Sequence, residues 1–267
     1  MKSQNGFLKF QRAFSALVIP VSFVIAELVF KLIMGDNGHF QGNNSANAPI
    51  PGDFLGVIYK GGFIVPVIMT LLLTVLSFSL ERYFTINKAG GKGSAVKFVE
   101  TIKGCLAKND ISGAIAECDR FQGSIASVSK AALIKYQMLE KDTTMTKEQK
   151  LLDITKNIEE ATSLELPSLE QNLPVLATIS SVATMMGLLG TVLGMIRSFA
   201  AMANAGAPDS VALSTGISEA LINTAFGIGT GALAVVMYNF YTTKIDKLTY
   251  SIDEAGYSIV QTFASKH

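Results

Sequence analysis

Three hydroxyl residues, Thr184, Thr191 and Ser198, recur every seven residues in the apolar run Leu176–Phe199, LATISSVATMMGLLGTVLGMIRSF. Seven residues are close to two helical turns, so the three share nearly one face. A second apolar run, Gly216–Tyr241, reads GISEALINTAFGIGTGALAVVMYNFY and carries Ala220, Thr224, Gly227 and Gly231 as a small-residue stripe, with Glu219 near its start. A hydroxyl both donates and accepts hydrogen bonds. Two such stripes at one depth can therefore line a narrow hydrated path or receive a partner's helix. The same pattern also serves packing. Gly187, Gly190 and Gly194 on the first run and Gly227 and Gly231 on the second let helices approach closely. A buried threonine, moreover, often bonds its own i−4 carbonyl. Glu219 has three readings: an acid facing headgroup water, a carboxylate stabilised at a helix N-terminus, or a charge that attracts a cation to the mouth of a path.

The threonines can meet only if both runs are antiparallel membrane helices. About 20 apolar residues cross a hydrocarbon core of roughly 30 Å, and four stretches qualify: Ala13–Met34, Gly61–Leu80, about Pro174–Ala200 and about Ile217–Tyr241. Thr191 lies about 12 Å from Phe199 and Thr224 about 10.5 Å from Ile217 along their helices. The two hydroxyls are thus expected at similar depth. Composition agrees with a membrane protein: of 267 residues 49% are hydrophobic and 16% charged, against about 25% charged in soluble domains. A net charge of +1 argues against a nucleic-acid partner, which calls for a basic excess.

Basic residues near span ends collect on the cytoplasmic side. Lys2, Lys9 and Arg12 precede the first span, and Arg82, Lys88, Lys92, Lys97, Lys103 and Lys108 follow the second. The connection Gly35–Lys60 is rich in Asn, Gly and Pro with Lys60 as its one base, and Met202–Gly216 has Asp209 and no base. Both termini and the long middle segment are therefore expected in the cytoplasm, and the two poor connections outside. The first span is expected to be a retained helix rather than a cleaved signal, because Glu27 and Lys31 interrupt its core and no small-residue cleavage pattern follows. Those two residues, at i and i+4, are placed for an interfacial ion pair, with a proton-relay role as the alternative.

The fold class expected is all-α: a polytopic membrane helical bundle with four predicted transmembrane helices and long helices extending into the cytoplasm. Its parts are an extra N-terminal helix and outer link over 1–60, a transmembrane helix over 61–81, a cytoplasmic helical segment over 82–173, a transmembrane hairpin over 174–241, and a cytoplasmic C-terminal helix over 242–267. Phe98, Ile102, Leu106, Ile111 and Ile115 mark short amphipathic helices, one capped by Asp110 or Ser112. A longer one runs from Met145 to Leu173, where Pro167 can kink it and Pro174 can mark its passage into the membrane. Ile245, Leu248, Ile252, Ala255 and Ile259 form a heptad-like seam suited either to this chain's own helices or to another subunit.

Cys105 and Cys118 lack CxxC spacing and read as reduced thiols, and His39 and His267 are too distant in sequence to complete a zinc site. No nucleophile–base pair, metal cluster or phosphate loop is apparent, so no enzymatic role and no cofactor are expected. GIGTG at Gly227–Gly231 lies within a membrane helix and is not a nucleotide loop.

The strings GLLGTVLGM and GISEALINTA, in that order, resemble the signature of the MotA/TolQ/ExbB proton-channel family, most of all its ExbB and TolQ branches. The likeness covers Leu176–Asn239 well, and the cytoplasmic segment agrees in position and character only. It implies an inner-membrane homopentameric ring enclosing single-span helices of an ExbD-like partner dimer, whose aspartate carries protons, coupled to a TonB-like protein and outer-membrane import. It also implies that Thr191 and Thr224 line the pore and that Glu219 belongs to it. Two departures stand out. Thr184 occupies the place where the ExbB pattern usually has a proline, which offers another hydroxyl to the path. The ExbB branch commonly has three spans, and the four here, with an extra first helix, are a MotA trait, which keeps a flagellar or gliding-type stator in view beside a TolQ-like role and a non-conducting scaffold.

Overall fold

The computed structural model describes residues 16–203 and 210–266. They form helices joined by short turns, with an isolated bridge between Phe40 and Pro49 and no β-strand among the described residues. Four helical stretches are long and apolar enough to cross a membrane, containing α1 (Ala16–Met34), α3 (Ile64–Ala89), α8 (Leu173–Ala203) and α9 (Ser210–Lys266). The described residues are thus all-α, with four candidate membrane-spanning helices. Residues 13–15 of the first expected span and Asp209 of the second outer link lie outside the described residues. The helices divide into two compact units.

The first unit takes the described residues up to Leu80 together with Pro174–Tyr238. Its helix α1 closes in a π-helical turn over Val29–Met34. There Ala26, Phe30 and Met34 bury against Val65 and Met69 of α3, joined by Leu55, Ile58 and Tyr59. Val18 and Ser22 are buried as well, whereas Leu17, Val21, Val24, Leu28 and Leu32 stay exposed, as suits a lipid-facing face. The expected Glu27–Lys31 pair forms at 2.9 Å.

The connection Gly35–Lys60, read from its composition only as a poor outer link, is folded. Phe40 is 1% exposed and meets Tyr59 edge-on, while Tyr59 stacks on Phe30. Asp53 caps the short helix α2 (Phe54–Tyr59) through the Gly56 amide and accepts from His39 Nδ1 at 2.7 Å. The Lys60 ammonium donates to the Ser45 and Ala46 carbonyls at 2.9 and 3.1 Å. Side-chain caps and single turns hold this segment, and neither leaves a hydrophobic period in the sequence.

The second unit comprises Glu81–Leu173 and residues from Asn239 onward. Helices α4 (Ala95–Ala107), α5 (Ile111–Phe121), α6 (Gly123–Glu140) and α7 (Lys147–Glu170) surround a core that includes Phe98, Ile102, Leu106, Leu133, Tyr136 and Ile154. Of the two caps considered for α5, Asp110 serves, accepting from the Gly113 amide at 2.7 Å. Thr146 and Gln149 form a capping box at the start of α7. Pro167 lies inside α7, and the helix ends instead at Gln171–Asn172, where Asn172 takes φ +67°.

Arg82, counted from the sequence only as a cytoplasmic charge, is completely buried. Its guanidinium donates to the Ser168 and Leu169 carbonyls, both at 3.1 Å, and pairs with Glu81. It thereby satisfies carbonyls that the end of α7 would otherwise leave bare. The C-terminal seam resolves to packing within the chain: Ile252, Ala255 and Ile259 belong to the core just described, and Leu248 packs against it.

Candidate functional site

Small residues decide how α8 and α9 meet. A Cβ placed on Gly187 would stand 2.9 Å from the Asn223 carbonyl and 3.1 Å from the Gly227 Cα, so the backbones touch at the Gly187–Gly227 crossing. The same holds along the hairpin: Gly190 abuts the Asn223 side chain, Gly194 the Gly216 carbonyl and Ala220, and Gly231 the Thr184 hydroxyl and Ser180 carbonyl. Contact this close lets two short hydroxyls reach across.

Thr191 and Thr224 do so; their oxygens are hydrogen-bonded to one another. Thr191 also faces the Gly187 carbonyl at 3.3 Å, and Thr224 the Ala220 and Gly187 carbonyls at 3.0 and 3.4 Å. Each hydroxyl has one proton. One of the two must donate to the other, and the second to a helix carbonyl, which leaves lone pairs on both and two arrangements of the protons. A carboxylic acid can donate to such a pair, and by rotating one hydroxyl the pair can donate to a carboxylate.

Thr184 stands apart from this pair. Its hydroxyl donates to the Ser180 carbonyl at 3.1 Å beside Gly231. α8 runs unbroken through it. Ser198, on the same heptad face, is buried between the Gly194 and Leu213 carbonyls.

Glu219 is 4% exposed, which removes the reading of an acid facing headgroup water. α9 starts at Ser210, more than two turns before Glu219, so Glu219 is not at a helix N-terminus either. It pairs instead with Arg197 Nη1 of α8, whose side chain remains 52% exposed. Arg197 was in plain view within the apolar run yet went unassigned, although a lone base in one span and a lone acid in the next is itself a pairing signal. Asn223 was also missed. It is completely buried, and its Nδ2 donates to the Gly61 carbonyl at 2.8 Å. An amide among apolar residues gave no periodic signal.

Rung by rung, then, the hairpin presents Arg197–Glu219, Gly190–Asn223, Thr191–Thr224, Gly187–Gly227 and Thr184–Gly231. Residues 126–254, which include all of these, match the model of the MotA/TolQ/ExbB proton channel family. This chain carries the MotA/TolQ/ExbB family region. The matched family is described as one of proton channels. The chain is 25% identical over 190 residues to the Tol-Pal system protein TolQ of Pseudomonas aeruginosa, covering 68% of this chain and 81% of that protein. It is 24% identical over 218 residues to a putative biopolymer transport protein ExbB homolog of Methanothermobacter thermautotrophicus, covering 79% and 72%. A shorter stretch of 86 residues is 36% identical to the biopolymer transport protein ExbB of Pseudomonas putida, 32% of this chain and 26% of that one. The relatives that this chain matches thus carry both names. Helices α1–α5 precede the family match.

Among the described residues no group of three or more His, Cys, Asp or Glu gathers as metal ligands do. Cys105 and Cys118 are both unbridged.

Proposed function

We propose that this chain is the channel-forming subunit of a proton-driven machine of the ExbB type, in the bacterial inner membrane with both termini in the cytoplasm. The observation that carries the proposal is the Thr191–Thr224 hydroxyl pair, held at a glycine crossing inside the family region. Thr191 and Thr224 line the proton path, Glu219 stands towards its outer mouth, and Thr184 extends the polar face inward. Five copies form a ring around the single-span helices of an ExbD-like dimer.

The chemistry explains why a partner is needed. Within residues 173–241 the acid among the described residues is Glu219, and it is already committed to Arg197. Among the described residues no acid hydrogen-bonds the hydroxyl pair, which supports a titrating carboxyl supplied by the partner. Thr191 and Thr224 then hydrogen-bond that group in both protonation states and favour one bundle arrangement over the other as it loads and releases a proton. The partner's outer part passes the motion to a TonB-like protein that powers outer-membrane import.

A TolQ-like role in envelope maintenance is the second reading, favoured by the relative named TolQ that this chain matches over 81% of its length. A MotA-like or gliding-type stator and a non-conducting scaffold complete the set. Co-purification with the single-span partner followed by native mass determination tests the proposal. Five copies enclosing two partner chains are expected; a chain that binds no partner would leave the small-residue stripes as packing. A TonB-like protein captured with the complex separates the ExbB role from the TolQ one.

A further inference from the structure

Asn223 lies four residues after Glu219 and directly before Thr224. Its Nδ2 donates to the Gly61 carbonyl at 2.8 Å, while its Oδ1 is buried with no hydrogen-bond partner. Exchanging the amide's nitrogen and oxygen would set two acceptors face to face, so the bond to Gly61 fixes the orientation. An apolar residue of equal size would fill the same space without the cost of a bare buried acceptor. What asparagine adds at this position is the bond to Gly61.

Gly61 and Gly62 form the turn between α2 and α3, closed by Gly61 N–H to the Ile58 carbonyl and Gly62 N–H to the Tyr59 carbonyl. Gly62 has φ +73°, and a Cβ there would stand 2.5 Å from Glu219 Oε1 and 3.4 Å from Arg197 Nη1. The bare Gly62 backbone therefore lies on the ion pair. Asn223 is held in its turn by α8, where a Cβ on Gly190 would fall 2.7 Å from the Asn223 Cγ.

We infer that Asn223 is a positioning residue for Glu219, pinning the Gly61–Gly62 turn of the folded outer connection as a lid over the Arg197–Glu219 pair. The outer connection thereby covers an acid that the hairpin alone would leave open on that side. Its importance for transport rests on the proposed role of Glu219 at the mouth of the proton path, whereas the lid itself is a property of this chain alone.

Carboxyl labelling of the purified full-length chain in detergent, with a carbodiimide and an amine nucleophile and read peptide by peptide by mass spectrometry, tests the inference. Asn223→Leu, which keeps the volume and removes the amide, is expected to label at Glu219 roughly fivefold faster than wild type, the population change that loss of one hydrogen bond brings. Labelling of Glu27, already part-exposed at the α1 surface, is expected to stay level, as is backbone amide exchange along α9. Asn223→Ala is read the same way if the leucine variant does not accumulate. Equal Glu219 labelling in variant and wild type would overturn the inference. So would a rise that occurs only together with faster α9 exchange, since that signals general loosening of the hairpin. Absence of proton flux in the wild-type complex would instead refute the conducting role and leave the labelling result to stand on its own.

Discussion

Arg197 and Glu219 pair across the α8–α9 hairpin with unequal exposure, the guanidinium side chain 52% accessible and the carboxylate side chain 6%. The two ends of the pair therefore respond differently to removal. Arg197→Gln leaves the Glu219 carboxyl enclosed with its main partner gone, and is expected to cost about 1–3 kcal/mol in stability. Glu219→Gln leaves an arginine that water can still reach and is expected to be the milder change. Thermal unfolding of the two variants in one detergent checks the order; an Arg197 variant as stable as the Glu219 one would contradict it.

Thr191→Val and Thr224→Val keep the shape of each side chain and delete its hydroxyl. Both variants are expected to assemble with the partner as the wild type does, because the Gly187–Gly227 crossing that sets the helix distance is untouched. Proton flux is expected to fall at least tenfold in each, the effect of losing about 1.4 kcal/mol from one hydrogen bond in the path. Thr184→Val, whose hydroxyl serves its own helix, is expected to have the smaller effect. Flux measurements on matched amounts of assembled complex decide it.

The connection between α1 and α3 has its own pH dependence. The hydrogen bond to Asp53 raises His39 above its ordinary 6.5, and Asp53 is held below its ordinary 3.8, first by the Gly56 amide and then by His39. A raised histidine adds stability that is full below 6.5 and fades as pH climbs through the folded value. A lowered aspartate adds stability that is present above 3.8 and fades as pH falls through its folded value. The cap on α2 is thus expected to be tightest between these limits. Hydrogen exchange at the Gly56 and Ile50 amides, corrected for intrinsic rate, is expected to quicken above that window. His39→Gln should flatten the alkaline side, and a wild-type profile that is flat there would contradict the pairing.

Burial pushes the Cys118 thiol up to about 12, and the residue is 2% exposed in the second unit's core. Cys105 is only partly buried. Because the thiolate is the reactive form, iodoacetamide at neutral pH is expected to modify Cys105 and spare Cys118 until the helices of the second unit unfold. Equal modification of the folded protein would show that core to be open.

What was legible in the sequence followed from periodicity. The four apolar stretches, the amphipathic face of Phe98, Ile102 and Leu106, and the C-terminal seam all repeat at helical spacing, and the structure makes helices of each. The matched depth of Thr191 and Thr224 was legible for the same reason, since rise per residue is fixed. Single polar contacts were not legible. Arg197 and Glu219 are 22 residues apart, and Asn223 reaches a carbonyl 162 residues away; no period links either pair. The outer connection was missed because caps such as Asp53 on Gly56 act over three residues and look like any loop. The burial of Arg82 was not legible because a base beside an apolar run ordinarily faces water, whereas here the end of α7 supplies carbonyls for it.

On this account the chain conducts protons only with a partner that brings the carboxyl to Thr191 and Thr224. Proteoliposomes holding the chain, with or without its single-span partner, and an internal pH dye under an imposed proton gradient test it directly. Acidification that requires both proteins and disappears in Thr224→Val is the expected result. Flux from the chain alone, or undiminished flux from the Thr224→Val complex, would contradict the account.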